Sequence, residues 1–208
     1  MPSIEKLNLL AANVLILIDR LLLDQSIVES ILEMYTGFCS SDEAQILNIP
    51  QVHVSDEMRL RLRFECTGFC TFLVTLQSSK YFTEKRWLLR RPNQKLNQMF
   101  HEGLATAFIE HCNNSGMNAL REIQLVAVLP KPEFGFGDCL DPLDCLEEYR
   151  SAFMKENGGE LVRFGKRIGM ALDAAHYPLL EIIGGNFGKQ MLLVSDYALA
   201  NAFNPSEG

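Results

Sequence analysis

Met58-Arg59-Leu60-Arg61-Leu62-Arg63-Phe64-Glu65-Cys66 alternates apolar and charged residues without a break. A period of two places Met58, Leu60, Leu62, Phe64 and Cys66 on one face of a strand and the three arginines and Glu65 on the other. The stretch thus predicts a strand, its register and a cationic surface together. Thr67-Gly68 reads as the turn and residues 69–77 as the returning strand, making a β-hairpin over about 58–77. A two-residue turn would mix the faces by pairing Phe64 with Thr71 and Arg63 with Phe72. A three-residue loop pairs Phe64 with Phe72, Leu62 with Val74 and Leu60 with Leu76, and sets Arg61 opposite Thr75, which is the chemically consistent register. The returning strand is apolar on both faces and is expected inside the sheet, with the arginine strand nearer an edge.

Working outward, Leu7, Leu10, Ala11, Val14, Ile18, Leu21 and Leu22 recur at spacings of three and four, the pattern of an amphipathic helix. A second helix is expected from near Ser26 to Gly37, a natural C-terminal stop, followed by a loop around residues 40–43. Beyond the hairpin, residues 85–91 suggest a third strand. Pro92 suits the first turn of a helix over 93–112, and residues 123–129 read as a strand closed by Pro130-Lys131-Pro132. A loop at 134–139 leads to Asp141-Pro142, which opens a helix fading at Asn157-Gly158-Gly159. Another helix covers 160–175, and residues 191–194 form a last short strand.

The expected fold is therefore α+β. It has a short, mainly antiparallel sheet built on the 58–77 hairpin, helices packed on one face, and an N-terminal helical pair. Residues 1–40 form the helical segment, 41–203 the α+β domain and 204–208 a loose tail, one structural domain overall.

The chain of 208 residues is 48% hydrophobic and 22% charged, a composition able to bury a core. Its net charge of -7 argues against a protein that coats nucleic acid through its overall field. The charge is uneven: residues 1–50 sum to -5, residues 51–100 to +5 and residues 101–208 to -7. The six cysteines contain no Cys-x-x-Cys, and a chain this long needs no disulfide framework, so reduced thiols in a cytoplasm are expected. The apolar stretch 7–18 is too short and too often interrupted to span a bilayer, and no cationic leader precedes it.

The basic block carries aromatic residues: Lys80, Tyr81, Phe82, Lys85, Arg86, Trp87, Arg90, Arg91 and Lys95. Cations beside rings suit an acidic ligand or a single-stranded nucleic acid. A solvated face with snorkelling side chains is the commoner use of such a pattern, and no nucleic-acid-binding motif accompanies it. Arg59, Arg61, Arg63, Lys85, Arg86, Trp87, Arg90 and Arg91 are the expected partner-binding residues, for a protein partner or self-association ahead of nucleic acid. Gly184-Gly185-Asn186-Phe187-Gly188-Lys189 lacks the first glycine and the final hydroxyl of a phosphate loop and reads as a glycine-rich turn. Asp138, Asp141, Asp144, Glu147 and Glu148 are explained by helix capping, with Asp141 as N-cap and Pro142 at the first helical position. His53, His101, His111 and His176 show no zinc spacing, so no metal or cofactor is expected.

Met170-Ala171-Leu172-Asp173-Ala174-Ala175, followed by Met191-Leu192-Leu193-Val194-Ser195-Asp196, resembles the end of nucleoside phosphorylases and nucleosidases. The resemblance implies an acid on a helix holding ribose, here Asp173, and a general acid after a hydrophobic strand, here Asp196. Leu172-Asp173 stands where that family has Met-Glu, and only twelve residues follow Asp196. The leading expectation is a non-catalytic intracellular protein that acts by binding or assembly through its basic face. A small-molecule enzyme of the nucleosidase kind is the alternative.

Overall fold

In the computed structural model the alternating stretch is helical: it lies inside α4, Asp56–Gln77. The structure describes residues 3–46, 49, 51, 53–86, 89–116, 141–155, 158–172 and 179–204, without the side chains of 84–92 and 179–184. The described part is an all-α fold, which overturns the expected α+β class and its hairpin register. Its helices are α1 (Ile4–Asp24), α2 (Ile27–Cys39), the short α3 (Asp42–Ile46), α4, α5 (Gln94–Asn114), α6 (Pro142–Lys155), α7 (Gly159–Ala171) and α8 (Leu179–Phe203). Backbone pairing between strands is confined, among the described residues, to an antiparallel ribbon of Thr83–Arg86 with Leu89–Pro92.

The physical reason for the reversal lies on both sides of the stretch. Ser55 caps the helix, its Oγ accepting the Met58 N–H at 3.2 Å, and Asp56 and Glu57 complement the dipole of the first turn. From Phe64 to Val74 every residue is buried, because α4 runs through the middle of the bundle with α1, α2, α5, α6, α7 and α8 around it. A helix enclosed on all sides has no polar stripe to reveal its period of 3.6. The run 69–74 is apolar for that reason and not because it is an interior strand.

Gly68, expected in a turn, sits mid-helix where a Cβ would lie 2.8 Å from Cys145 Sγ and 3.2 Å from the Phe108 ring. It lets α4 approach α5 and α6. Phe69 stacks on Phe164 of α7 with ring centroids 4.3 Å apart, and Phe64 lies against Phe108 of α5 at 5.6 Å. A second aromatic cluster of Phe82, Phe100 and Phe203 ties the end of α8 to the start of α5.

Other boundaries differ from the sequence reading. The helix expected to stop at Gly37 continues to Cys39, and α3 begins inside the expected 40–43 loop. Pro92 closes the ribbon, while Asn93 caps α5 through its side chain, which accepts the Leu96 N–H at 3.0 Å. The segment 191–194 and the glycine-containing 184–189 are both interior to α8. Gly188 is not a turn residue: a Cβ there would collide with Leu161 Cδ2 at 2.3 Å, so it brings α8 close to α7. The helix expected over 160–175 ends at Ala171. Helix α1 buries Leu7, Ala11, Val14, Ile18 and Leu22 as the spacing predicts, and the Asp141 carboxylate accepts the Leu143 and Asp144 N–H groups at the head of α6. The strand expected at 123–129 and the loop at 134–139 lie outside the described residues, as do Asp138, Asp173 and His176.

Candidate functional site: an arginine-edged cleft between α1, α2 and α4

Two residues along a helix is a rotation of about 200°, so the charged residues of 58–66 do not form one face but divide into two, with Arg59 and Arg63 on one and Arg61 and Glu65 on the other. Each finds a separate partner. Arg59 reaches Glu29 of α2 at 3.1 Å and Asp56 at 3.3 Å. Arg61 pairs with Glu57 one turn back. Arg63 donates to Asp19 of α1 from Nε and Nη2, at 2.8 and 2.7 Å. Burial would push the Asp19 carboxyl up, but hydrogen bonds from His111 and Arg63 outweigh it and bring its pKa down to about 2. The expected continuous cationic face is thus replaced by clamps holding α1 and α2 onto α4.

Arg59 and Arg63, one turn apart, edge a cleft of about 240 Å³. Its floor is Leu22, Leu23, Val28 and Leu60, and Glu29 and Ser26 complete the rim. Both guanidinium groups are ion-paired at the cleft edge, Arg59 with Glu29 and Asp56 and Arg63 with Asp19, and the Arg59 side chain remains 42% exposed beside the apolar floor. Lys85, Arg86, Arg90 and Arg91 fall in the backbone ribbon, where Lys85 is opposite Arg90 and Glu84 opposite Arg91. Trp87 lies outside the described residues.

The fourth charge of the stretch, Glu65, is enclosed in the core. Arg167 of α7 donates to it from Nε at 2.5 Å and Nη2 at 2.8 Å, and the Tyr149 hydroxyl donates at 3.2 Å. Arg167 Nη1 also reaches Glu148 at 2.6 Å, which accepts from Arg163 Nε at 3.0 Å. Burial works against the Arg167 cation, but the Glu65 carboxylate beside it holds its pKa well above the ordinary arginine value. Sequence reasoning missed this network. The one signal was an acid, Glu65, next to a long apolar run, with nothing to show that it meets Arg167 across 102 residues.

A second cleft, about 340 Å³, lies between α4, α5 and α6 and is lined by Phe72, Thr75, His101, Leu143, Asp144, Glu147 and Arg150 among others. His101 Nε2 is 2.8 Å from Ser78 Oγ, and Asn97 Oδ1 is 2.7 Å from the same hydroxyl. Burial, with the nearby Arg150 charge, lowers the His101 pKa. Ser78 is fully buried, so this set braces the junction of α4 and α5 and presents no nucleophile to the cleft.

Asp196 is on the outer face of α8, half exposed and ion-paired with Lys80. The hydrophobic strand that the nucleosidase resemblance requires before it is helix. Cys66 and Cys70, on either side of the stretch read from sequence as a turn, occupy successive turns of α4. They are free and buried, as are Cys39, Cys112 and Cys145. No group of three or more His, Cys, Asp and Glu side chains among the described residues is placed to hold a metal ion. No helix among the described residues is long and apolar enough to cross a membrane. Comparison with known proteins found no matching family model, no matching curated protein and no matching solved structure.

Proposed function

We propose that this chain is a non-catalytic cytoplasmic protein that acts by binding and assembly, and that it docks an acidic, apolar segment of a protein partner in the α1–α2–α4 cleft. The observation that carries the reading is the cleft itself. An aliphatic floor beside Arg59 and Arg63 complements a helix or strand presenting one or two large apolar side chains flanked by carboxylates. The basic ribbon with Lys85, Arg86, Arg90 and Arg91, together with Trp87, belongs to the same basic block and extends the reading by sequence. Buried, reduced thiols suit a cytoplasm. The nucleosidase alternative asks Asp196 to protonate a leaving group, yet Asp196 lines neither cleft and its charge is engaged by Lys80.

Fluorescence polarisation with two synthetic amphipathic peptides, identical in apolar residues but flanked by Glu in one and Lys in the other, tests the proposal. The Glu peptide is expected to bind more tightly, and Leu60→Glu to abolish its binding. Arg59→Ala is expected to weaken it several-fold, the usual effect of a rim charge. Equal affinity for both peptides, or indifference to Leu60→Glu, rejects it.

A further inference from the structure

At about 340 Å³ the cleft between α4, α5 and α6 is larger than the arginine-edged one, and it falls within the ~300–1,000 Å³ of small-molecule sites. Its apolar part is built from buried Phe72 of α4, half-buried Ala105 of α5, and Leu143 and Leu146 of α6. The His101 ring adds to this lining. It is engaged with Ser78 Oγ at 2.8 Å and with the Thr75 backbone, and burial favours its neutral form, so it contributes a flat ring and no charge.

The charges of the lining all come from α6. Glu147 and Arg150 are three residues apart, about 4.5 Å along the helix axis, and Asp144 lies nearly one turn before Glu147. Arg150 Nη1 stands 3.9 Å from Glu147 Oε2, with the two side chains 69% and 68% exposed. An exposed pair this loose holds neither group firmly, so both charges are available to a ligand.

A carboxylate and a guanidinium side by side above an apolar floor complement an ammonium and a carboxylate carried on one carbon. A purely cationic ligand would face Arg150, and a purely anionic one would face Asp144 and Glu147. A zwitterion answers both signs at once. The floor, Glu147 and Arg150 are three separate points of contact, so together they also select the hand of the ligand.

We infer that the α4–α5–α6 cleft binds a free α-amino acid with a large apolar side chain, its ammonium at Glu147 and Asp144, its carboxylate at Arg150 and its side chain against Phe72 and Ala105. The site goes beyond the peptide cleft proposed above and shares no lining residue with it.

Saturation-transfer NMR and calorimetry on the full chain, with L-phenylalanine and L-leucine as probes, test the inference. Ligands of about ten non-hydrogen atoms in an open cleft are expected to bind with a Kd of about 0.3–3 mM. D-Phenylalanine is expected to bind roughly fivefold more weakly than its mirror image. So are 3-phenylpropionate, which lacks the ammonium, and phenethylamine, which lacks the carboxylate. Arg150→Gln and Glu147→Gln are each expected to weaken L-phenylalanine roughly fivefold, with an unchanged circular-dichroism melt because both side chains are exposed. Arg150→Gln leaves phenethylamine no weaker and Glu147→Gln leaves 3-phenylpropionate no weaker, a pattern that general loss of structure would not give. Ala105→Trp fills the floor and is expected to abolish binding. Absence of saturable binding by both L-amino acids overturns the inference. Equal affinity for the two hands of phenylalanine, or affinity that survives both α6 substitutions, does so as well. Tighter binding of phenethylamine assigns the cleft to cations and tighter binding of 3-phenylpropionate to anions, and either result equally overturns it.

Discussion

Arg167 of α7 grips Glu65 of α4 through two hydrogen bonds, 2.5 and 2.8 Å long, with both side chains buried. Seating a full charge pair in the core costs several kcal/mol of desolvation per ion, recovered only where geometry and further hydrogen bonds are good. Here Tyr149 and Glu148 supply those further bonds. The pair ties α7 to the central helix, and Tyr149 and Glu148 bring α6 into the same network.

Removing one partner leaves the other charged and unpaired in the core. Arg167→Met is expected to cost about 3–5 kcal/mol, a large share of the ~5–15 kcal/mol that holds a domain folded. Adding Glu65→Leu to it should recover most of the loss. Urea midpoints of the two variants check this, and a double variant no more stable than the single one defeats the argument.

The Asp19–Arg63 clamp makes stability depend on acid. Asp19 titrates at about 2 in the folded chain against about 3.9 when unfolded. Between those values the unfolded state binds the extra proton, so stability rises with pH there. The contribution, ~2 kcal/mol, is complete above about pH 4 and is lost as pH falls through 2. Denaturant unfolding from pH 5 to pH 2 should therefore fall more steeply for the parent chain than for Asp19→Asn.

Gly68 has no room for a side chain. Gly68→Ala gains helix propensity of about 0.5–1 kcal/mol but drives its methyl into Cys145 Sγ and the Phe108 ring. Overpacking of this kind costs about 1–3 kcal/mol, so a net loss is expected. Thermal melting that shows Gly68→Ala more stable than the parent would show that α6 yields freely.

Thiol reactivity should report the fold. Burial pushes the Cys70 and Cys112 thiols up to about 12, and Cys66 and Cys145 are raised by the same cause. Thiolate is the reactive form, so Cys39, Cys66, Cys70, Cys112 and Cys145 are expected to label only after denaturation. Mass spectrometry of alkylated peptides from native protein at pH 8 checks each site by name, and rapid native labelling of Cys70 contradicts the packing of α4.

Amphipathic elements were legible from sequence because a core on one side and water on the other stamps a period onto the residues. Helix α1 shows this, with its spacing from Leu7 to Leu22, and α6 shows its start in the capping pair Asp141-Pro142. Helix α4 was not legible. Its alternation at 58–66 arises from four charges on two sides of the helix, each with its own partner, Glu29, Glu57, Asp19 and Arg167, and only by coincidence falling at every second residue. The cleft was half legible: Arg59 and Arg63 were singled out, but not Glu29 or the Leu22–Leu23 floor that gives them a site.

By itself, then, the sequence determined an α1 with one face for the core, a chain long enough and rich enough in core residues to need no disulfide framework, and a basic block within an acidic chain. Tertiary structure alone decided that residues 56–77 are a helix, that Glu65 meets Arg167, and that most of the arginine charge is spent internally. For the core of the helix and for Glu65 the reason is the same: a residue buried on every side takes its conformation and its partners from segments far along the chain, and local periodicity carries no record of them.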